Sequence, residues 1–468
     1  MVHPCNITVP SNHNNYKEVV YYTDADLASD MNAMSVQERL VMQEEIHGVL
    51  RKSGDEGGMP EETEEFVSSR IQAMLKEVNL MTPASRRLAW DKAVFFKPSL
   101  AQDRSLLLMF LRARRFQPLA SAILLVNYFE TKRDLFGDEL LIHRIRWTDL
   151  TEEEQTMVRG GLYEVIPGRE RAGRAIALNR VSAWDVVGNP RGLMRCIWYT
   201  RGIIQDDPEM QRRGVVIVAD FTGKWIASPL QSLRFTKSVT HSLVNNAAFR
   251  VACIHMLFDG TSFDTFFHAA RGNHNKENRL RHRVHFGSPL ELQYSLRSFG
   301  IIIDDRLTSS SSVPAPAIGD GIAMRQRVEE QWWQSEARFR NPNSDEALYP
   351  NPQDVILGRN KTFTANWPGN IAYNNLILLE AHRYAAAEGE DRFVKTSILL
   401  EIARVLKTTY HARFLVRRGT SKWKALSEAE IPKKISQSMR MAAQEIMLLR
   451  ELEDDCGENS SLSSLMSN

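Results

Sequence analysis

The chemistry open to this 468-residue chain is limited by spacing rather than by supply. Its twelve histidines include His268, His274, His282 and His285, the last two lying three apart in a basic stretch. No acidic or thiol partner stands near them at metal-ligand spacing, so they are expected at a surface or an interface, and no metal is expected. Gly223-Lys224 follows an apolar run, yet no glycine precedes it at the interval a phosphate loop needs, and the patterns GxGxxG, GxSxG and HExxH are absent. The four cysteines, Cys5, Cys196, Cys253 and Cys456, form no CxxC pair, which argues against a zinc site or a disulfide framework. The expectation is a protein that is not an enzyme and carries no cofactor.

One segment joins two chemistries. FDGTSFDTFF (Phe258 to Phe267) places four phenylalanines in ten residues and runs on into ARGNHNKENRLRHRVHF. In the bland reading the rings are core and the arginines a solvated face. In the sharper one an apolar cavity lies under a mobile aromatic lid. Arg279, Arg281 and Arg283 then meet anionic lipid headgroups, each near-surface cation adding about 1 kcal/mol. A second basic cluster, Arg413, Arg417, Arg418, Lys422 and Lys424, offers phosphate contacts, with Trp367 or Trp423 to stack on a base. Its bland alternative makes both tryptophans core anchors of a small domain, and protein docking lies between the two.

These residues need elements to hold them. Hydrophobic residues make up 43% of the chain and charged residues 25%, a globular balance, and the length suggests about three units. No apolar stretch approaches the roughly 18 to 20 residues that cross a bilayer, and no secretory leader is visible at the N-terminus, so a reduced, intracellular protein is expected. Net charge is −8 over residues 1–80, +8 over 81–350, +7 over 351–450 and −5 over 451–468. A basic body between acidic ends fits contact with anionic lipid or nucleic acid, or a solvated surface.

Residues 1–61 are expected to be acidic and largely irregular, without a functional role. Phe66, Ile71, Met74, Leu75 and Val78 then recur at helical spacing, a second helix covers Ala84 to Phe96, Asp103 is a candidate N-cap, and Pro118 opens a helix to about Leu135. From Ala175 the pattern changes. Ala175 to Leu178, Gly214 to Phe221 and Val251 to Phe258 read as buried strands, with helices over Pro190 to Gln205 and Pro229 to Asn245 between them, so an α/β lobe with a parallel or mixed sheet is expected. TSSSSVPAPA (Thr308 to Ala317) begins a linker, residues 307–353, that contains a polar helix.

Five short motifs in order, LLLMFLRARRF, AIALNRVSAWD, GVVIVADFTGKW, FRVACIHMLFDGTSFDTFF and RHRVHFGSPLELQYSLRSFGI, resemble the CRAL-TRIO family of lipid-binding and lipid-transfer proteins over residues 62–305. The resemblance implies a helical subdomain (62–140) packed on a lobe (141–306) whose mixed sheet floors a hydrophobic pocket beneath helices. The implied ligand is lipid-like or isoprenoid-like, passed between membranes by a peripheral, cytoplasmic carrier. Trp184, Val216, Val218, Phe221, Ile254, Met256 and Phe258 are the implied pocket residues, the strand positions among them offering alternating faces to the cavity or to the outer helices, and Phe263, Phe266 and Phe267 begin the gate. Two departures matter. Members that bind phosphatidylinositol usually carry an arginine where this chain has Met109 and a glutamate where it has Phe249, which implies a less polar ligand inside and anionic lipid outside.

DVILGRNKTFTANWPGNIAYNNLI (Asp354 to Ile377), with HARFLVRR, Trp423 and ISQS downstream, resembles a small uncharacterised domain recurrent in algal proteins, one with no known activity. A separate, mostly helical, basic domain over 354–450 is expected, followed by a disordered acidic tail, 451–468. The rival functional reading is a non-catalytic scaffold whose C-terminal domain binds protein or nucleic acid.

Overall fold

The computed structural model describes residues 23–49, 58–82, 84–180, 189–222, 246–259, 276–303, 316–337, 346–347, 349–358, 361–387, 392–418 and 422–465. The protein is mixed α/β. Its central sheet runs β1 (Tyr163–Arg169), β2 (Ala175–Arg180), β3 (Val215–Asp220), β4 (Val251–Phe258), β5 (His282–Phe286), in spatial order. β1 is antiparallel to β2, and β2 through β5 are parallel. VVIVAD and VACIHMLF are buried along their whole length, the continuous apolar pattern of strands covered on both faces.

Register divides the sheet into two faces. Ala177, Ile217 and Ile254 align on one, as do Ala219 with Met256; Val216 with Cys253 and Val218 with His255 align on the other. The first face joins the main core, built on α3 (Glu64–Leu80), α4 (Leu88–Phe96), α5 (Arg104–Ala113), α6 (Pro118–Phe136), α7 (Glu152–Arg159) and α8 (Pro190–Asp206). Asp103 caps α5, its carboxylate accepting from the amide of Leu106 at 3.0 Å, and Pro118 opens α6, both as expected. The second face closes against Met42, Ile46, Leu280, Leu292 and Leu296.

Several expectations need correction. Within residues 1–61 the described part holds two short helices, α1 (Asp24–Asn32) and α2 (Val36–Ile46), each beginning with a capping box, Thr23 with Asp26 and Ser35 with Glu38, and α2 docks on the lobe rather than standing apart from it. The acidic tail is not wholly disordered, since the last helix runs from Ile431 to Leu465. The C-terminal unit is mostly helical, as expected, but it also carries a small sheet, ordered β6 (Glu346–Ala347), β9 (Lys422–Ala425), β8 (Phe414–Arg418), β7 (Val355–Leu357), beside its helices. It is not separate. Trp367, Leu415 and Trp423 belong to the main core through α4, where Trp367 packs on Phe96 at 4.4 Å.

The polar helix of the linker, Pro316–Ala337, also docks on the lobe. Arg325 is buried, pairs with Asp206 at 3.1 Å and Glu329 at 3.0 Å, and lies over the Tyr199 ring; Glu329 in turn accepts the Trp147 amide at 2.9 Å. Gly202 on α8 makes room for it, since a Cβ there would overlap the guanidinium. Gly202→Ala should therefore displace this helix and cost about 1–3 kcal/mol. A lowered urea midpoint with faster proteolysis of the helix is the expected result; an unchanged midpoint would show that Arg325 is not held there.

Candidate functional site at the carboxyl edge and the second sheet face

The carboxyl ends of parallel strands are where open α/β sheets usually receive ligands. At that edge Phe221, just beyond β3, stacks on Phe258 of β4 at 4.9 Å, and Phe258 stacks on Phe286 of β5 at 5.5 Å. Phe286 remains 42% exposed. Behind this ladder on the same face lie Ala219, Ile254 and Met256, all buried.

The expected pocket set is thus divided. Phe221, Ile254, Met256 and Phe258 share one face, whereas Val216 and Val218 point to the opposite one and pack in the core formed with α2, so they cannot line the same cavity. The cause is the two-residue period of a strand, which sends neighbours to opposite sides. Trp184, Phe263, Phe266 and Phe267, and the helix expected over Pro229 to Asn245, lie outside the described residues. Met109 and Phe249, the two departures from the phosphatidylinositol pattern, are buried core residues, with Arg201 over the Phe249 ring at 5.4 Å.

On the second face sits a charge cluster that was not legible in the sequence. The Glu45 carboxylate, 5% exposed, receives Arg115 at 2.9 Å, Arg281 at 3.0 Å and Arg250, while Arg174 donates to the Glu45 carbonyl. Three separate elements supply the carboxylate's partners: the turn after α5 in the helical subdomain, and in the lobe the residue preceding β4 and the residue preceding β5. That turn is unusual, since Arg115 and Phe116 hold φ of 49° and 60°, a left-handed conformation costly for side chains of this size. The compensation comes from Phe116, buried against Phe66 at 5.2 Å, and from the Arg115 ion pair.

This arrangement corrects the expected headgroup contacts. Arg281 is buried on Glu45, Arg279 pairs with Asp30 of α1 at 3.5 Å, and Arg283 donates to the Gln43 side chain of α2 at 3.3 Å. All three face the N-terminal helices and form no open cationic stripe. His285 is likewise no surface residue: it lies 2.9 Å from His255 within the sheet, and Phe299 packs edge-on against both rings. Burial drives His255 far below the ordinary imidazole value, and burial with the neighbouring Arg283 pushes His285 down to about 4. Burial pushes the Cys253 thiol up to about 12, so it stays protonated at neutral pH, and Cys196 is also a free, buried thiol.

In the C-terminal unit the signature residues build structure. Asp354 accepts Arg413 at 2.7 and 3.1 Å as well as the Asn351 amide at 2.7 Å, while Asn370 brackets the backbone of Ile356 at 2.6 and 2.9 Å. Gly369 is required because any Cβ would strike the Asp354 carbonyl. Arg417 lies 4.8 Å from the Phe95 ring centroid. Trp367 and Trp423 are 0% and 1% exposed, so neither is available to stack on a base. Arg413 and Arg417 are thus committed to packing; Lys424 is half-buried, and the side chains of Arg418 and Lys422 lie outside the described residues.

Residues 354–441 match a family described as a domain of unknown function, DUF6824. This bears out the resemblance of the C-terminal unit to an uncharacterised domain. No curated protein matches the chain. The CRAL-TRIO resemblance of residues 62–305 rests on its motifs. Among the described residues no group of three potential ligands could hold a metal ion, and no helix is long and apolar enough to cross a membrane.

Proposed function

We propose that the chain binds a hydrophobic, lipid-like ligand in a CRAL-TRIO type lobe and carries it between membranes as a non-enzymatic, peripherally associated protein. The observation that carries this reading is the phenylalanine ladder Phe221, Phe258, Phe286 at the carboxyl edge of three adjacent parallel strands, continuous with Ala219, Ile254 and Met256. The ladder leads by sequence into the aromatic segment containing Phe263, Phe266 and Phe267, the proposed gate. Each methylene taken from water into such a site contributes about 0.8 kcal/mol, so an alkyl or isoprenoid chain is a sufficient ligand without chemistry. The apolar character of Met109 and Phe249 supports a cargo with little buried charge. The arginines of the second face, held here by α1 and α2, would meet anionic lipid only where those helices give way, and the C-terminal unit serves as a docked accessory to the carrier.

Organic extraction of the purified protein, followed by mass spectrometry and a fluorescent-lipid transfer assay between vesicles, tests the reading. A stoichiometric apolar lipid, with transfer abolished by joint Phe266→Asp and Phe267→Asp, is expected. A protein that carries no lipid and transfers none would leave the fold as a scaffold, and stoichiometric phosphatidylinositol would overturn the choice of cargo.

A further inference from the structure

Glu45 comes from outside the lobe whose arginines it neutralises. Arg250 and Arg281 belong to two separate elements of that lobe and Arg115 to the helical subdomain, and their guanidinium groups converge on a carboxylate carried by α2. A set of guanidinium forks aimed at one small anion suits the oxygens of a phosphate at least as well as those of a carboxylate.

The element that delivers the carboxylate buries few apolar side chains, so its hold on the lobe is largely polar. Of α1 and α2 only Met42, Glu45 and Ile46 are fully buried, with Leu27 and Met31, and Met34 of the turn between the helices, partly buried against the lobe. Further ties include Asp30 to Lys276 and Arg279 at 3.5 Å each, Gln43 to Arg283 at 3.3 Å, Arg174 to the Glu45 carbonyl, and the His47 ring stacked on Phe299 at 5.0 Å. Solvent already reaches Arg115 from one side. A groove of about 580 Å³ between α1–α2 and the lobe is lined by Met34, Val41, Met42 and Leu280, with Arg115, Lys276, Arg281 and the carboxylate of Glu38 among its walls. An anion with an attached apolar chain therefore finds cations and grease in one place, beside the carboxylate it would replace.

We propose that the α1–α2 pair is an intramolecular plug, in which Glu45 stands in for the terminal phosphate of a ligand and keeps Arg115, Arg250 and Arg281 closed until a ligand bearing a phosphomonoester displaces it. The proposal rests on the reading that the lobe meets anionic lipid and adds how that contact is regulated. A plug lowers apparent affinity by the fraction of molecules that are open, so one closed in nine molecules of ten or more conceals about tenfold or more in binding.

The test uses the full chain and three probes: phosphatidylcholine vesicles, the same vesicles doped with phosphatidic acid, and soluble glycerol phosphate. Glu45→Gln removes the stand-in charge, and Met42→Gln loosens the anchor without touching any charged group. Both should raise binding to phosphatidic acid vesicles about tenfold or more over the unaltered chain, with no rise on phosphatidylcholine alone. Adding Arg115→Ala and Arg281→Ala to Glu45→Gln should abolish the gain. An equal gain for glycerol phosphate would identify free phosphate as sufficient; a gain confined to vesicles would identify a lipid headgroup. Unchanged binding of every phosphate probe by both single variants overturns the plug, even where lipid transfer is intact. Conversely, a gain in a protein that transfers no lipid upholds the plug and removes the carrier reading.

Discussion

Trp423→Ala should destabilise the protein by about 3–5 kcal/mol and uncouple the C-terminal unit from the helical subdomain. Trp423 is 1% exposed, donates its indole N–H to the Phe96 carbonyl at 3.0 Å, meets Phe95 edge-on at 5.6 Å and stacks on Phe96 at 6.3 Å. Truncation removes a large buried ring, leaves a cavity between two units and strips a buried carbonyl of its donor, so the transfer, void and hydrogen-bond effects act in the same direction. Phe96 is also clasped by Trp367, and Arg417 covers Phe95, so much of the aromatic contact between the units passes through two adjacent residues of α4. Calorimetry should show one transition in the parent and two in the variant. Trp423→Phe, which keeps the stacking and loses only the hydrogen bond, should cost about 0.5–1.5 kcal/mol and keep a single transition. A small loss with an unsplit transition in the alanine variant would mean that the two units are joined elsewhere.

That interface marks where the sequence stops being legible. β2, β3 and β4 could be read because strands buried on both faces become runs of Val, Ile and Ala, and α5 and α6 because a cap and a proline mark their starts. β5 could not, since HRVHF alternates basic and apolar residues in a way that resembles a solvated stretch. Its neighbour Arg281 is buried by a carboxylate 236 positions earlier in the chain. Such a partner leaves no local trace. The one available signal was Met42 and Ile46, four apart, with Glu45 on the same face of α2. Which pocket candidates face inward stayed open for a simpler reason: Val216 and Val218 are as apolar as Ile254 and Met256, and only the inter-strand register tells which face each occupies. Trp367 and Trp423 read equally well as core anchors or stacking platforms, and only their meeting with Phe96 decides between the two.

The second large effect concerns acid. His255 and His285 lie within hydrogen-bond distance in the second sheet face, with Arg283 and His47 as the nearby basic groups and Phe299 closing the site. Protonating either ring there places a charge beside an arginine and a second imidazole in surroundings that solvate it poorly. Both folded-state values lie below the roughly 6.5 of an imidazole in an unfolded chain, so the unfolded state takes up protons first. The stability these residues contribute is therefore complete above the unfolded value and is lost as pH falls from about 6.5 toward the folded values. For His285, held at about 4 and still partly in contact with solvent, the loss is at most roughly 3 kcal/mol. Carboxyls such as Glu62 and Glu291, held low by their hydrogen bonds and ion pairs, act in the lower range where carboxylates protonate. Asp206, Asp220 and Glu329, raised by burial, act in the opposite sense. Comparison with His285→Gln cancels these common contributions. Urea unfolding at pH 7.5 and pH 5 should show a fall for the parent that exceeds the variant's by at least about 1 kcal/mol, and equal falls would mean that the pair does not titrate between folded and unfolded states as its burial requires. Because His47 ends α2 and stacks on Phe299, the same protonation should loosen the N-terminal helices before the lobe unfolds. Amide exchange in α2 at pH 5 would register this as lost protection while β3 and β4 remain protected.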